Sequence, residues 1–78
     1  MAVYQVQANW DPDAKVWVAE SDDVPGLVTE ADTFEHLIEK LRRMIPELLR
    51  LNGIEPDTID HDVPFNVMAQ RLEHVRVA

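Results

Sequence analysis

One segment of the 78-residue sequence has the period of a long amphipathic α-helix, and the segments around it have the period of strands. The apolar residues of this segment recur at spacings of three and four, so they share one stripe on the helix surface. They are Phe34, Leu37, Ile38, Leu41, Ile45, Leu48 and Leu49. A single stripe covers only one face of the sheet that the strands form. The sequence therefore predicts a layer of strands with one helix packed on it.

Residues with capping chemistry mark the ends of this helix. Asp32 or Thr33 can accept a hydrogen bond from a free amide at its start, and Asp32 has capping-box spacing to Glu35. Asn52-Gly53 is typical of a helix end. Pro46 lies inside the pattern, where it removes an amide and crowds a preceding carbonyl. We expect a kink at Pro46 rather than an end.

Four shorter segments have the pattern of strands. They are residues 3–10, a run that begins at residue 16 and ends near residue 21, residues 27–31 and residues 65–70. The first two flank turn-forming residues and predict an antiparallel hairpin, and Pro25-Gly26 separates the second from the third. The alternation of the fourth extends to Val75 and Val77. The predicted fold is α+β with the order β-β-β-α-β, and residues 54–62 are predicted to be a loop.

The length of the chain limits what it can do alone. Seventy-eight residues of 9.0 kDa make a single domain, which buries only about 60% of the surface that its unfolded chain exposes. The sequence has no cysteine, so disulfides and thiolate zinc sites are excluded. We therefore expect a homodimer or larger homo-oligomer. The sequence has no long apolar run and no secretion-signal pattern at its start, which makes the cytoplasm the expected location.

The net charge of −8 is concentrated in the first half of the chain. Residues 1–39 contain nine acidic side chains and one basic side chain, whereas residues 40–78 contain six of each. Such a surface repels phosphate backbones and attracts basic proteins. We expect no direct nucleic-acid binding and a basic protein partner, the alternative being acidic loops that only maintain solubility.

Strand parity predicts an apolar face that the helix does not cover. If Trp10 packs beneath the helix, then either Trp17 or the pair Val16 and Val18 points to the opposite face. We expect another copy of the chain to cover that face, with Trp17 and Met68 as the self-association contacts. The alternative is partial exposure of these side chains in a monomer.

The segment from residue 21 to residue 35 carries a resemblance to a known family. Its sequence, Ser-Asp-Asp-Val-Pro-Gly-Leu-Val-Thr-Glu-Ala-Asp-Thr-Phe-Glu, resembles the HicB-like antitoxins, in which a Pro-Gly turn after a hairpin leads through a short strand into an amphipathic helix. More narrowly, the whole chain is similar to the uncharacterised DUF1902 family. The residues that carry this similarity are Trp10-Asp11-Pro12, Val16-Trp17-Val18-Ala19, Asp22-Asp23-Val24-Pro25-Gly26-Leu27 and Ile45-Pro46-Glu47-Leu48.

The resemblance to HicB implies a truncated ribonuclease-H-like fold that self-associates. In toxin–antitoxin pairs, this fold covers a small basic ribonuclease. HicB proteins commonly carry a further DNA-binding segment, whereas this sequence stops at Ala78, directly after the fourth strand. We therefore expect one HicB-like domain over residues 1–78, with no C-terminal DNA-binding segment, and we do not carry over operon repression.

The candidate partner-binding residues cluster around the Pro-Gly turn. Asp22 and Asp23 stand beside Pro25 and Gly26 and would contact a basic partner. Glu20 and Glu30 flank this turn and would support the contact electrostatically. The expected function is a noncatalytic antitoxin-related interaction domain that occludes its partner.

Catalytic chemistry has little support in the sequence. A ribonuclease-H-like nuclease needs clustered carboxylates on its central strand, and residues 3–10 contain none. The histidines His36, His61 and His74 are far apart, and only His61 has acidic neighbours. We expect no catalytic residues, no metal and no cofactor. Two alternatives remain open, namely a metal-dependent nuclease that uses loop acids near Asp11, Asp22 and Asp60, and a purely structural homo-oligomer.

Overall fold

A computed structural model describes residues 3–55 and 62–78 and contains four strands and one helix in the order β-β-β-α-β. The elements are β1 (Tyr4–Asp11), β2 (Val16–Glu20), β3 (Val28–Ala31), α1 (Phe34–Leu51) and β4 (Phe65–Gln70). The strands form one sheet in the order β3-β2-β1-β4. β2 is antiparallel to both β1 and β3, and β4 is parallel to β1. The predicted α+β class, element order and mainly antiparallel sheet are confirmed. Most of the predicted 54–62 loop lies outside the described residues.

The β1–β2 hairpin closes through an aspartate side chain. Asp11 Oδ1 accepts hydrogen bonds from the amides of Asp13 and Ala14 at 3.0 and 3.2 Å, and its carbonyl accepts from the amide of Lys15 at 2.7 Å. Lys15 has a positive φ of 57°, which brings the chain back into β2. The resulting register sets Trp10 opposite Trp17.

The N-cap of α1 is Thr33. Its side-chain oxygen accepts a hydrogen bond from the amide of His36 at 3.1 Å. The capping box expected from Asp32 and Glu35 does not form, because the Asp32 carboxylate instead lies 2.6 Å from Nδ1 of His36. The sequence left Asp32 and Thr33 as alternative N-caps, and the residue that caps the helix is Thr33.

The end of α1 has the hydrogen bonds of a Schellman motif. Gly53 takes a φ of 68°, its amide donates to the carbonyl of Arg50 at 3.1 Å, and the amide of Ile54 donates to the carbonyl of Leu49 at 2.9 Å. The helix continues past Pro46 to Leu51, so Pro46 does not end it.

The core lies between α1 and one face of the sheet. Leu37, Leu41, Ile45 and Leu49 of α1 are fully buried, one per helical turn. They pack with sheet and turn residues that are also buried, namely Val6, Ala8, Ala19, Val24, Leu27 and Ala31. Leu27 belongs to the turn before β3 rather than to the strand as predicted, because its amide donates to the carbonyl of Val24 at 3.1 Å.

Candidate protein-interaction surface

The sheet has one face covered by α1 and one face that no described element covers. Strand pairing assigns alternate residues to this second side, which we call the bare face. The bare face consists of Gln5, Gln7, Asn9 and Asp11 of β1, Val16, Val18 and Glu20 of β2, Val28 and Glu30 of β3, and Asn66, Met68 and Gln70 of β4.

Apolar side chains lie exposed on the bare face. Val28 is 67% exposed and Met68 is 66% exposed, although both belong to regular strands. Val16 and Val18 are half-buried. Val18 lies opposite Glu30, and Val28 lies opposite Glu20, so valines and glutamates alternate across β2 and β3. This combination of apolar and acidic groups is suited to a protein partner that offers apolar and basic groups.

Trp17 was expected to be a self-association contact on the bare face, but it lies on the side of the sheet that α1 covers. Its ring makes edge-to-face contacts with Trp10, at a centroid distance of 5.5 Å, and with Phe34 of α1, at 5.7 Å. The hairpin register forces this arrangement, because Trp17 is paired with Trp10 and Ala31. Of the two alternatives left open by parity, the structure has Val16 and Val18 on the bare face. Met68, the other residue expected in self-contact, lies there with them.

The strand residues of the bare face carry acidic charge without basic charge. Glu20 and Glu30 occupy diagonal positions on β2 and β3, and Asp11 ends β1. No lysine, arginine or histidine lies on this side of the four strands. Glu20 lies opposite exposed Val28 and Glu30 lies opposite half-buried Val18, a placement consistent with the electrostatic role predicted for these two carboxylates.

Asp23 has a structural role that sequence reasoning missed. Its Oδ2 accepts a hydrogen bond from the amide of Gln5 at 2.7 Å, and the hydroxyl of Ser21 donates to the carbonyl of Gln5 at 2.5 Å. The same hydroxyl accepts from the amides of Asp23 and Val24 at 3.1 and 3.2 Å. β2 ends at Glu20, so these two side chains replace the backbone partners that a longer β2 would have offered to β1. The Ser-x-Asp spacing after a strand is the signal that could have indicated this.

The Pro25-Gly26 turn is held against the end of α1. Gly26 has a φ of 83°, which suits the third position of a type II turn with Pro25 before it. Asn52 Nδ2 donates to the carbonyls of Leu48 and Pro25 at 2.8 and 3.3 Å and so ties the turn to the helix. Pro25, Gly26 and Asp22 are exposed, and Asp22 forms no hydrogen bond or ion pair in the described part of the chain.

The loop acids named for a nuclease do not converge. Asp22 follows β2 near Gln5, and Asp11 lies at the other end of β1, about 20 Å away along the strand. Asp60 and His61 lie outside the described residues. Within residues 3–55 and 62–78, no three histidine, aspartate or glutamate side chains come together as metal ligands. In the same ranges, α1 is too polar to cross a bilayer.

A charged cleft of about 450 Å³ lies beside β3 at the start of α1. Its lining includes Asp32, His36, Lys40 and Arg43. The hydrogen bond between Asp32 and His36 raises the pKa of His36 and lowers the pKa of Asp32. Lys40 Nζ donates to the carbonyl of Glu30 at 2.6 Å and thereby covers part of the edge of β3.

Comparison with known proteins agrees with this fold. The family described as "Domain of unknown function (DUF1902)" matches residues 3–78. The crystal structure of the hypothetical protein TTHA1013 from the extremely thermophilic bacterium Thermus thermophilus is similar, with 45% sequence identity and a TM-score of 0.70. The similarity covers 97% of this chain and 100% of that one. No curated protein matches the sequence.

Proposed function

This chain belongs to the DUF1902 family, and we propose that it is a noncatalytic protein-interaction domain that self-associates and binds a basic protein. The observation that carries the proposal is the bare face, where exposed Val28 lies opposite Glu20 and exposed Met68 lies opposite Gln7. Burying a side chain of this size contributes about 1.5–3 kcal/mol. A monomer that leaves this face in water forgoes that stabilisation.

The charge of the bare face supports a basic partner rather than a nucleic acid. Asp11, Glu20 and Glu30 repel phosphate groups and attract lysine and arginine. Asp22 follows Glu20 by two residues, and its exposed carboxylate is unengaged by the described residues. Lysines or arginines of a partner would pair with these carboxylates, while its apolar side chains cover Val18 and Val28.

The resemblance of residues 21–35 to HicB-like antitoxins supports a particular class of partner. We propose a small basic ribonuclease encoded next to this gene, which the domain inhibits by covering its basic surface in the cytoplasm. Occlusion needs no catalytic group and no metal in this chain. It requires only that the acidic face of the domain fit the surface on which the ribonuclease binds RNA.

Co-purification with the product of a neighbouring short basic reading frame tests this function. We expect the two proteins to elute together, and we expect co-expression of this chain to restore growth of cells that produce the ribonuclease. Failure to bind together with failure to restore growth would remove the antitoxin proposal.

A second measurement separates the proposal from the nuclease alternative. We expect no heat of binding when Mg²⁺ or Mn²⁺ is added in a calorimeter, and no cleavage of RNA or DNA by the purified chain. Tight metal binding accompanied by turnover would contradict a noncatalytic domain.

A further inference from the structure

Residues 71–78, which we call the arm, continue from β4, and no strand of residues 3–55 and 62–78 lies beside them. All eight residues of the arm are exposed. Among them, Leu72, Val75 and Val77 are 79%, 87% and 86% exposed. The molecule is 54 Å long, whereas its longest element, α1, spans only about 27 Å. The arm therefore extends beyond the body of the domain, and its apolar side chains are exposed in the described structure.

The alternation of β4 continues into the arm. The Arg71 guanidinium lies 4.3 Å from the centroid of the Trp10 ring, on the side of the sheet that carries α1. This is the neighbour that the β1–β4 register predicts, because Asn9 is paired with Gln70. Arg71 Nε also lies 2.6 Å from Oε1 of Glu73, so both side chains share that side. Continued alternation sets Val75 and Val77 on the side of α1 as well.

The outer edge of β4 is open to another strand. β4 pairs with β1 on one side, and in the described ranges no backbone hydrogen bond reaches its other side. The opposite edge of the sheet is different, since β3 has four residues and Lys40 covers the carbonyl of Glu30. An uncovered edge strand is a template for pairing with another chain.

A cleft of about 420 Å³ lies between β4 and α1, next to this open edge. Its apolar lining comes from Phe34, Ile38, Val63, Phe65 and Val67, and Arg42 and Asn66 add polar groups. The cleft opens on the side of the sheet where the valines of the arm lie. An added strand with valines at alternate positions on that side would cover it.

We propose that two copies of the chain exchange arms, each arm adding antiparallel to the open edge of β4 in the other copy. This inference rests on the self-association included in the proposed function and names its geometry. A two-fold axis at Leu72 pairs Arg71 with Glu73, Ala69 with Val75, and Val67 with Val77 of the second copy. Arg71 and Glu73 carry opposite charges, and the other two pairs are apolar. In this arrangement the valines of the arm contact the rim of the cleft.

Charge selects this register over a neighbouring one. With the axis at Arg71, two guanidinium groups would lie directly opposite each other, which destabilises a strand pair. With the axis at Leu72, each guanidinium lies opposite a carboxylate. Both registers keep the helices of the two copies on one side of a continuous sheet, because directly opposite residues point to the same face.

Light scattering on the purified full chain tests the exchange. We expect the wild-type chain to have twice its 9.0 kDa monomer mass at micromolar concentration. The variant with Val75→Ser and Val77→Ser should form a dimer whose dissociation constant is about tenfold or more higher than that of wild type, because burial of both valines is lost. The matched variant with His74→Ser and Arg76→Ser alters the opposite side of the arm and should remain a dimer.

Engineered cysteines test the register directly, since the sequence contains none. A chain with Ala69→Cys and Val75→Cys should form an intermolecular disulfide, because directly opposite strand residues lie within disulfide range. Within one extended chain these positions are about 20 Å apart, so no intramolecular bond competes. The control, with Ala69→Cys and His74→Cys, has its thiols on opposite faces and should not cross-link.

The outcomes distinguish the exchange from self-association in general. A wild-type dimer that withstands loss of both valines and does not form the Ala69→Cys, Val75→Cys cross-link would overturn arm exchange but leave self-association intact. A wild-type monomer would overturn both. A valine-dependent dimer with the specific cross-link is the expected result.

Discussion

At the scale of single residues, side chains complete the backbone pairing where strands and the helix end. Ser21 and Asp23 supply the partners of Gln5 where β2 stops, and Thr33 supplies the partner of a free amide where α1 starts. The sequence showed that polar residues occupy these places, but it could not show which atom each one reaches. Asp23 was therefore assigned to a partner, although its carboxylate binds a backbone amide of the same chain.

The adjacent aspartates Asp22 and Asp23 give a matched test of this assignment. Asp23→Ala should lower the free energy of unfolding by about 1 kcal/mol, because it removes a charge-assisted hydrogen bond at an exposed site. For a domain of this size, the melting temperature should fall by about 4–8 °C. Asp22→Ala removes the same charge without that bond and should leave the melting temperature within about 3 °C of wild type. Equal effects would contradict the structural role of Asp23.

The pair formed by Asp32 and His36 predicts a pH dependence of stability. The raised pKa of His36 contributes to the free energy of unfolding. This contribution is complete below the ordinary pKa of 6.5 and is lost as pH rises through the raised pKa. The lowered pKa of Asp32 gives a contribution that is complete above its ordinary value of 3.8 and is lost as pH falls through the lowered value. Both contributions are therefore complete between pH 3.8 and 6.5.

Thermal melts of wild type and the Asp32→Asn variant check this window. We expect wild type to melt at a higher temperature than the variant near pH 5, and we expect the difference to shrink as pH rises through the raised pKa of His36. High salt should reduce the difference at pH 5, since both side chains are exposed. A difference that grows with pH would contradict the assigned hydrogen bond.

At the scale of secondary-structure elements, periodicity predicted which segments are helices and strands. The apolar stripe of α1 identified Leu37, Leu41, Ile45 and Leu49 as core, and all four are buried. The predicted ends of the elements were less accurate, because hydrogen bonds within the turns determine where each element begins and ends. Leu27, for example, looks like the first residue of a strand, yet its amide closes the turn.

The two leucines Leu41 and Leu51 test the packing of α1. Leu41 is fully buried, and Leu51 is 72% exposed, although both belong to the same helix. Leu41→Ala should lower the free energy of unfolding by about 2–5 kcal/mol because it leaves a cavity in the core. Leu51→Ala should change it by about 0.5 kcal/mol or less. Urea denaturation measures both, and similar losses would contradict the packing of α1 on the sheet.

The end of β4 is an instructive difference between sequence and structure. The apolar alternation that extends to Val75 and Val77 suggested a longer strand, but β4 ends at Gln70. β1 turns away after Asp11, so residues beyond Arg71 have no neighbouring strand among the described residues of the same chain. Alternation predicts that a segment is suited to a sheet, but it does not say which chain supplies the partner.

At the scale of the whole molecule, strand parity predicted a bare face but not which side chains point to it. The sequence left two sets of side chains open, namely Trp17 or the pair Val16 and Val18. The hairpin register decides between them, because the turn after Asp11 sets Trp10 opposite Trp17. The register depends on a positive φ at Lys15, which no pattern in the sequence indicates.

The separation of charge from core also belongs to this scale. No charged or polar residue is buried in the described ranges, so the carboxylates of the bare face are available at the surface. Those of Glu20 and Glu30 lie beside Val28 and Val18, whereas those of Glu47 and Glu55 lie on α1 and just beyond its end. The two pairs allow the same change in net charge at two different places on the molecule.

Calorimetric titration of the basic ribonuclease proposed as the partner into charge-reversed variants tests most directly whether the bare face binds protein. Reversal of Glu20 and Glu30 to lysine should weaken binding by about tenfold or more, because like charges would then oppose the basic partner. Reversal of Glu47 and Glu55 to lysine makes the same change in net charge and should leave the affinity within about twofold. Equal weakening by both pairs, or no effect of the first, would contradict the assignment of this face as the binding surface.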